Sequence, residues 1–451
     1  MTLNIRSTVF AAAVMLSGCA SNGPPVEYLM ETPAIYHGAA IDPFSHLDQA
    51  SQTTTVSVFY ATNRKPDRAD AGDHLPYGNG MADDISLGEA SVKFGDDSFS
   101  WEGLYTASIS ADREIDVPLT LSDSRKYASL EIGSPIPGKQ QLTPGQRQWV
   151  AAINAQLAAA RDPELMVYVH GTKVDFLNSV AMTAEIDHFA GRDFVGIAFA
   201  WPSHQNILYY LGRADVRRAL KSSDALQNLL EFLAAHTTAK RINLLAYSAG
   251  GRVTSTALFK LRNAHSDLDV ATLRRQFRIG DVVFAAADVP VEKFLERLPA
   301  ITDIGQEVSV MVSDHDPALA AAERFMGHGA RAGTEAAVEE EENLVKSLGI
   351  TNFHVVDVSL GQQNRGFDII GHHYWYRHPW ASSDILLLMR TDLPPPRRGL
   401  KPAGYDGVFF LPDEYPEEAR NAARQEIGAS WALIEPTRCD DDTLAEQDAC
   451  E

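Results

Sequence analysis

A serine that attacks an acyl carbon has to stand clear of its own backbone, with small residues on either side. Asn243–Val253 (Asn-Leu-Leu-Ala-Tyr-Ser-Ala-Gly-Gly-Arg-Val) has that layout around Ser248. An apolar strand runs through the serine into a helix. Ala246 two residues before and Gly250 two after let the helix close on the strand, so the G-x-S-x-G of a nucleophile elbow stands here as A-x-S-x-G. A serine hydroxyl is a poor nucleophile near neutral pH. It needs a histidine to take its proton, a carboxylate to orient that histidine, and N–H donors for the oxyanion that develops.

On a strand–serine–helix scaffold those partners follow in the order serine, acid, base. The favoured base is His372 in Gly371-His372-His373-Tyr374, with its neighbour His373 as the alternative and His378 a third choice. Two aspartates compete for the acid. Asp316 follows the apolar run Val308–Val312, the second such run after the serine, and Asp288 follows the run before it. Either also suits a helix N-cap, a position aspartate fills well, and Asp314 and Asp357 are outsiders. For the oxyanion, the turn supplies the backbone N–H of Ala249. The second donor is assigned to the N–H of Thr172, after the strand-like Val167-Tyr168-Val169 and His170-Gly171. His170 precedes the serine and is read as shaping that loop.

These residues need a sheet to hold them. Apolar runs at Leu165–Val169, Phe194–Ala200, Ile242–Leu245, Val282–Ala286, Val308–Val312 and Phe353–Val358 alternate with helical stretches at Ser179–Phe189, Val216–Ala235, Arg252–Arg262 and Ala318–Phe325. Such alternation predicts a mostly parallel sheet with helices on both faces and ligands at the carboxyl ends of its strands. Thr143-Pro144 opens a further helix to about Ala160. Residues 54–140 read as a β-rich extension, 141–393 as the core, and 394–451, after Pro394-Pro395-Pro396, as an acidic tail with one helical piece near Glu417–Ala429. The run Glu339–Glu342 reads as a solvated helix face, and no strongly apolar lid segment is read between the elements.

A formal net charge of -21 argues against nucleic-acid binding, which needs a basic stripe. Neither H-E-x-x-H nor clustered ligand spacing is present, so no metal and no organic cofactor is expected. Val9–Leu16 is too short to span a bilayer and reads as a signal peptide over 1–18, followed by a polar tether and arm over 19–53. Leu16-Ser17-Gly18-Cys19 resembles the bacterial lipobox, which implies cleavage before Cys19 and a lipid anchor there. Ala20-Ser21 in place of aspartate implies outer-membrane delivery within the cell envelope. The alternative is an uncleaved secretory signal with an incidental cysteine. Cys439 and Cys450 remain for a disulfide in an oxidising compartment, or as two free thiols.

The segments Val58–Arg64, Val169-His170-Gly171, Phe199–Ser203, Ala246–Gly250, Asp316–Leu319 and His372-His373-Tyr374 together resemble the DUF900 family of bacterial α/β hydrolases. The resemblance spans about residues 55–390. It implies the α/β-hydrolase fold, with Ser248 as nucleophile, Asp316 as acid and His372 as base. Thr172-Lys173 departs from the family's usual residues after His-Gly, and Trp201 either lines a pocket or is simply buried. The expectation is a serine hydrolase of a small or lipid-like carboxylic ester. The alternative is a non-catalytic envelope lipoprotein that uses the fold as a binding or assembly module.

Overall fold

The computed structural model describes residues 27–37, 41–67, 76–313, 349–359, 373–404 and 406–427. Asp316, His372, Cys19, Cys439, Cys450, Glu339–Glu342 and the helix expected at Ala318–Phe325 lie outside the described residues.

Twelve strands form one sheet among the described residues: β1 (Glu27–Tyr28), β2 (Thr55–Pro66), β3 (Tyr77–Phe94), β4 (Pro118–Glu131), β5 (Leu165–Val169), β6 (Val195–Phe199), β7 (Ile242–Tyr247), β8 (Ile279–Ala285), β9 (Glu307–Val312), β10 (Phe353–Asp357), β11 (Lys401–Pro402) and β12 (Val408–Phe410). Their order is β1-β4-β3-β2-β6-β5-β7-β8-β9-β10-β12-β11. From β2 across to β12 every pairing is parallel. Helices cover both faces, so β5, β6, β7 and β8 are buried along their whole length. That burial is why they read as unbroken apolar runs rather than alternating ones. The fold is that of an α/β hydrolase.

The β-rich stretch at the amino end continues this sheet. β2 pairs in parallel with β6, and β3 and β4 add to it as antiparallel neighbours. β4 carries Asp123, Arg125 and Lys126, and charges on an outer strand discourage pairing with another chain.

Two expectations change at the ends of the core. Within the stretch read as a polar tether and arm, Leu29, Met30, Ile35, Tyr36, Ile41 and Phe44 are buried. Ile35 N–H donates to Ser383 Oγ at 3.2 Å, and the Tyr36 hydroxyl donates to the carbonyl of Phe189. These apolar residues are irregularly spaced, so no periodicity announces them. The stretch after Pro394 is likewise no simple tail. Lys401–Pro402 and Val408–Phe410 extend the sheet, and the helix Tyr415–Glu426 packs against Ala34–Tyr36 and against the helix Pro379–Arg390. Among the described residues, no helix is long and apolar enough to cross a membrane.

One ion pair ties the carboxyl-terminal segment down. Arg398 is 1% exposed, and its Nε and Nη2 donate to the two oxygens of Asp384 at 2.8 and 3.2 Å while Nη1 donates to Leu393 O at 2.9 Å. Removing one partner strands a buried charge. Arg398→Ala is therefore expected to cost about 3–5 kcal/mol in urea unfolding, and Arg398→Met with Asp384→Leu to recover most of that loss. Equal losses in the single and double variants would contradict the pairing account.

Candidate active site

β7 delivers Ser248 into a turn that only close packing allows. Ser248 sits at φ +51°, a left-handed conformation that costs a non-glycine residue about 1–3 kcal/mol. Its N–H donates to Ala285 O at 3.0 Å, and its carbonyl accepts from Gly251 N–H at 3.0 Å and Asp288 N–H at 3.1 Å. The helix Gly250–Ala264 starts two residues later and presses on the end of β5. A Cβ on Gly250 would lie 2.1 Å from Val169 O and 2.7 Å from His170 O. That position therefore admits only glycine, whereas Ala246, inside the buried strand β7, tolerates its methyl group.

The loop after β5 runs against the same turn. A Cβ on Gly171 would stand 3.0 Å from Ser248 Cβ and 3.2 Å from the Tyr247 ring. Thr172 follows directly, and Lys173 then takes φ +62°. Among the described residues neither the Thr172 N–H nor the Ala249 N–H donates to a protein acceptor. The Ala249 N–H follows the serine directly, and the Thr172 N–H belongs to the loop whose Gly171 packs against Ser248.

His170 braces this loop. Its ring stacks on Trp201 with centroids 5.1 Å apart, and Trp201 Nε1 donates to the His170 carbonyl at 2.7 Å. The His170 Nδ1 meets Gly171 O at 2.6 Å, and its Nε2 faces Arg64 Nη2 at 3.4 Å. Both ring nitrogens are engaged, as in a neutral Nδ1–H tautomer. Burial, with the Arg64 guanidinium beside it, pushes the imidazole down to about 3. Trp201 is fully buried and belongs to this brace. Arg64 also donates to Val174 O at 2.6 Å, a role that no local motif discloses.

The histidine segment returns to the carboxyl ends of the strands. His373 Nδ1 lies 2.8 Å from the Tyr247 hydroxyl and 2.7 Å from the Tyr376 hydroxyl. The Tyr374 hydroxyl accepts from Ala286 N–H at 2.9 Å and donates to Met311 O at 2.7 Å, bridging the ends of β8 and β9. His378 caps the helix Pro379–Arg390, its Nδ1 accepting from Trp380 N–H at 3.3 Å. The Asp288 carboxylate is 2% exposed and receives the Arg252 guanidinium, with Nη2 3.2 Å from Oδ2. Asp357, at the end of β10, accepts from Ser359 N–H at 2.8 Å.

A histidine–carboxylate contact beside the β5 loop is absent from the sequence expectations. Asp215, fully buried, accepts from His204 Nδ1 at 2.6 Å, from the His204 N–H at 3.0 Å and from the Thr172 hydroxyl at 3.3 Å. The pair has no motif, since a helix start and a loop supply its two halves. Among the described residues no group of three or more His, Cys, Asp or Glu could hold a metal ion.

Residues 146–390, more than half of the chain, match the model of a family described as alpha/beta hydrolase of unknown function (DUF900). The chain belongs to this family. Within this DUF900 protein, the matched region runs from the helix Pro144–Ala159 to the end of the helix Pro379–Arg390, and so contains the serine turn, the β5 loop and the His373 segment. No curated protein matches the chain in sequence. Among solved structures, an uncharacterized protein from Bacillus cereus ATCC 10987 is similar over 43% of this chain at 18% identity and a TM-score of 0.26, and this chain spans about half (52%) of that protein's length. A lipase-esterase related protein from Clostridium acetobutylicum ATCC 824 is similar over 42% of this chain and 96% of its own, at 11% identity and a TM-score of 0.20.

The His170 brace carries a pH signature. Its folded value of about 3 lies below the ordinary 6.5, so the unfolded chain takes up a proton that the fold rejects. The brace's stability is complete above the unfolded value and is lost as pH falls from there towards the folded one, by up to about 1.4 kcal/mol per pH unit. Buried His188 is pushed down as well and adds to the same slope. In urea unfolding between about pH 4 and 7, His170→Gln should therefore show a shallower acid loss than the wild type, by up to one proton. Parallel curves would mean that His170 is not held neutral.

Proposed function

We propose that this chain is a serine hydrolase that cleaves carboxylic esters through an acyl-enzyme. The observation that carries the reading is Ser248 in a left-handed turn at the carboxyl edge of a parallel sheet, packed against the β5 loop at Gly171. Backbone strain at such a place is characteristic of functional sites.

In the proposed reaction Ser248 Oγ attacks the acyl carbon while His372 takes its proton. Asp316 holds the imidazole in the tautomer that can accept it, and the Ala249 and Thr172 N–H groups bind the tetrahedral oxyanion. His372 then returns the proton to the leaving alkoxide. Water, activated by the same histidine, releases the acid and restores Ser248.

Two further observations support this choice of partners. His373 Nδ1 is held by phenol hydroxyls, whereas a base of this kind is oriented through Nδ1 by a carboxylate. The Asp288 carboxylate is ion-paired to Arg252, which suits a strut of the turn. Asp316 and His372 are also the acid and base of the family resemblance.

Ser248→Ala should lower kcat/KM for p-nitrophenyl esters by about 10⁴-fold or more with an unchanged melting temperature. Asp316→Asn should lose about 10²–10⁴-fold in kcat, and Asp288→Asn should lose stability before rate. Undiminished turnover in Ser248→Ala would sink the mechanism. An intact fold with lost rate in Asp288→Asn, beside an active Asp316→Asn, would move the acid to Asp288.

A further inference from the structure

Between β6 and the helix Ala214–His236 lies a five-residue helix, Ile207-Leu208-Tyr209-Tyr210-Leu211, without a charged side chain. At five residues it is too short to stand out as an apolar segment in the sequence. Leu208 is 56% exposed and Tyr209 48%. Scattered exposed apolar residues are ordinary on a protein surface, so what singles out this adjacent pair is the set of contacts its helix makes.

The short helix that carries the pair is anchored to two walls, through Tyr209 on one and Tyr210 on the other. The Tyr209 ring lies flat on His204, with centroids 4.0 Å apart and planes 9° apart. His204 is held by Asp215, and the same carboxylate accepts the hydroxyl of Thr172 in the loop against Ser248. On the other wall Arg252 Nε donates to the Tyr210 hydroxyl at 3.4 Å, and Arg252 stands four residues beyond Ser248 on the elbow helix. The short helix therefore links the proposed oxyanion loop to the elbow helix along the carboxyl edge of the sheet.

We propose that Leu208 and Tyr209 form the acyl-chain rim of the Ser248 site and make it select esters of medium- and long-chain apolar acids over acetyl esters. The inference rests on the hydrolase reading above. An acyl chain is the occupant that fits. The ester carbon has to meet Ser248, and the chain behind it has to leave along a wall of the site. The uncharged helix offers that wall an apolar surface, on a molecule whose net charge of -21 disfavours anionic partners. An acetyl group ends before the rim, so discrimination is by length.

The test compares wild type with Leu208→Ser/Tyr209→Ser on p-nitrophenyl acetate and p-nitrophenyl dodecanoate. The dodecanoate-to-acetate ratio of kcat/KM should fall at least about tenfold, which corresponds to about 1.4 kcal/mol of selective contact. A ratio that stays put, whether or not both rates fall together, overturns the proposal. A second readout does not depend on turnover. In Ser248→Ala protein, the uncharged ester methyl dodecanoate should bind at least about tenfold more tightly with the native rim than with the double substitution. Equal binding, or none, overturns the rim even if esters are hydrolysed, and differential binding upholds it even if Ser248 proves inert. Self-association that the double substitution abolishes, with the ester ratio unchanged, would assign the pair to a contact between copies of this chain.

Discussion

The left-handed turn at Ser248 is the constraint on which the carboxyl edge of this molecule depends. A residue with a Cβ does not stay at φ +51° by its own preference, and here neighbouring strands hold it. Ala285 O takes its N–H, Asp288 and Gly251 bond its carbonyl, and the missing side chain of Gly250 lets the following helix touch the end of β5.

Strain is shared along that edge. Of the six non-glycine residues with positive φ among the described residues, Lys173, Arg213, Ser248 and Ala286 follow β5, precede the Asp215 turn, follow β7 and follow β8. Ser248 and Ala286 are held from outside their own elements. Tyr374 bonds Ala286, and Asp215, two residues past Arg213, ties His204 to Thr172. The charges here are also arranged for shape. Arg64 and His170 form a buried positive-neutral pair under the β5 loop, and Arg252 with Asp288 forms a buried ion pair beside the elbow. Buried polar groups of this kind are costly when half-satisfied, so they hold the loops in one geometry.

How much of this could be read beforehand follows from how each part buries its surface. The strands β5 to β10 are covered on both faces and leave continuous apolar runs, so their existence and order along the chain were legible. The strand–serine–helix layout was legible for the same reason, with Gly250 marking the close approach. The helix Pro379–Arg390 is buried on nearly all sides, which erases the apolar stripe that would reveal it. β11 and β12, of two and three residues, are too short for any period to show. The Asp215–His204–Thr172 cluster joins three segments that only folding brings together. The positions of Asp316 and His372 rest on chain order and family resemblance, beside a His373 segment that folds back onto β7, β8 and β9.

The central claim is that Ser248 is an activated nucleophile, and adduct mapping tests it most directly. The full chain would be treated with an alkyl fluorophosphonate, digested, and the modified peptide located by mass spectrometry. The account predicts one stoichiometric adduct, on Ser248, that native folding is required to form. No adduct, or an adduct on another serine such as Ser255, would contradict it.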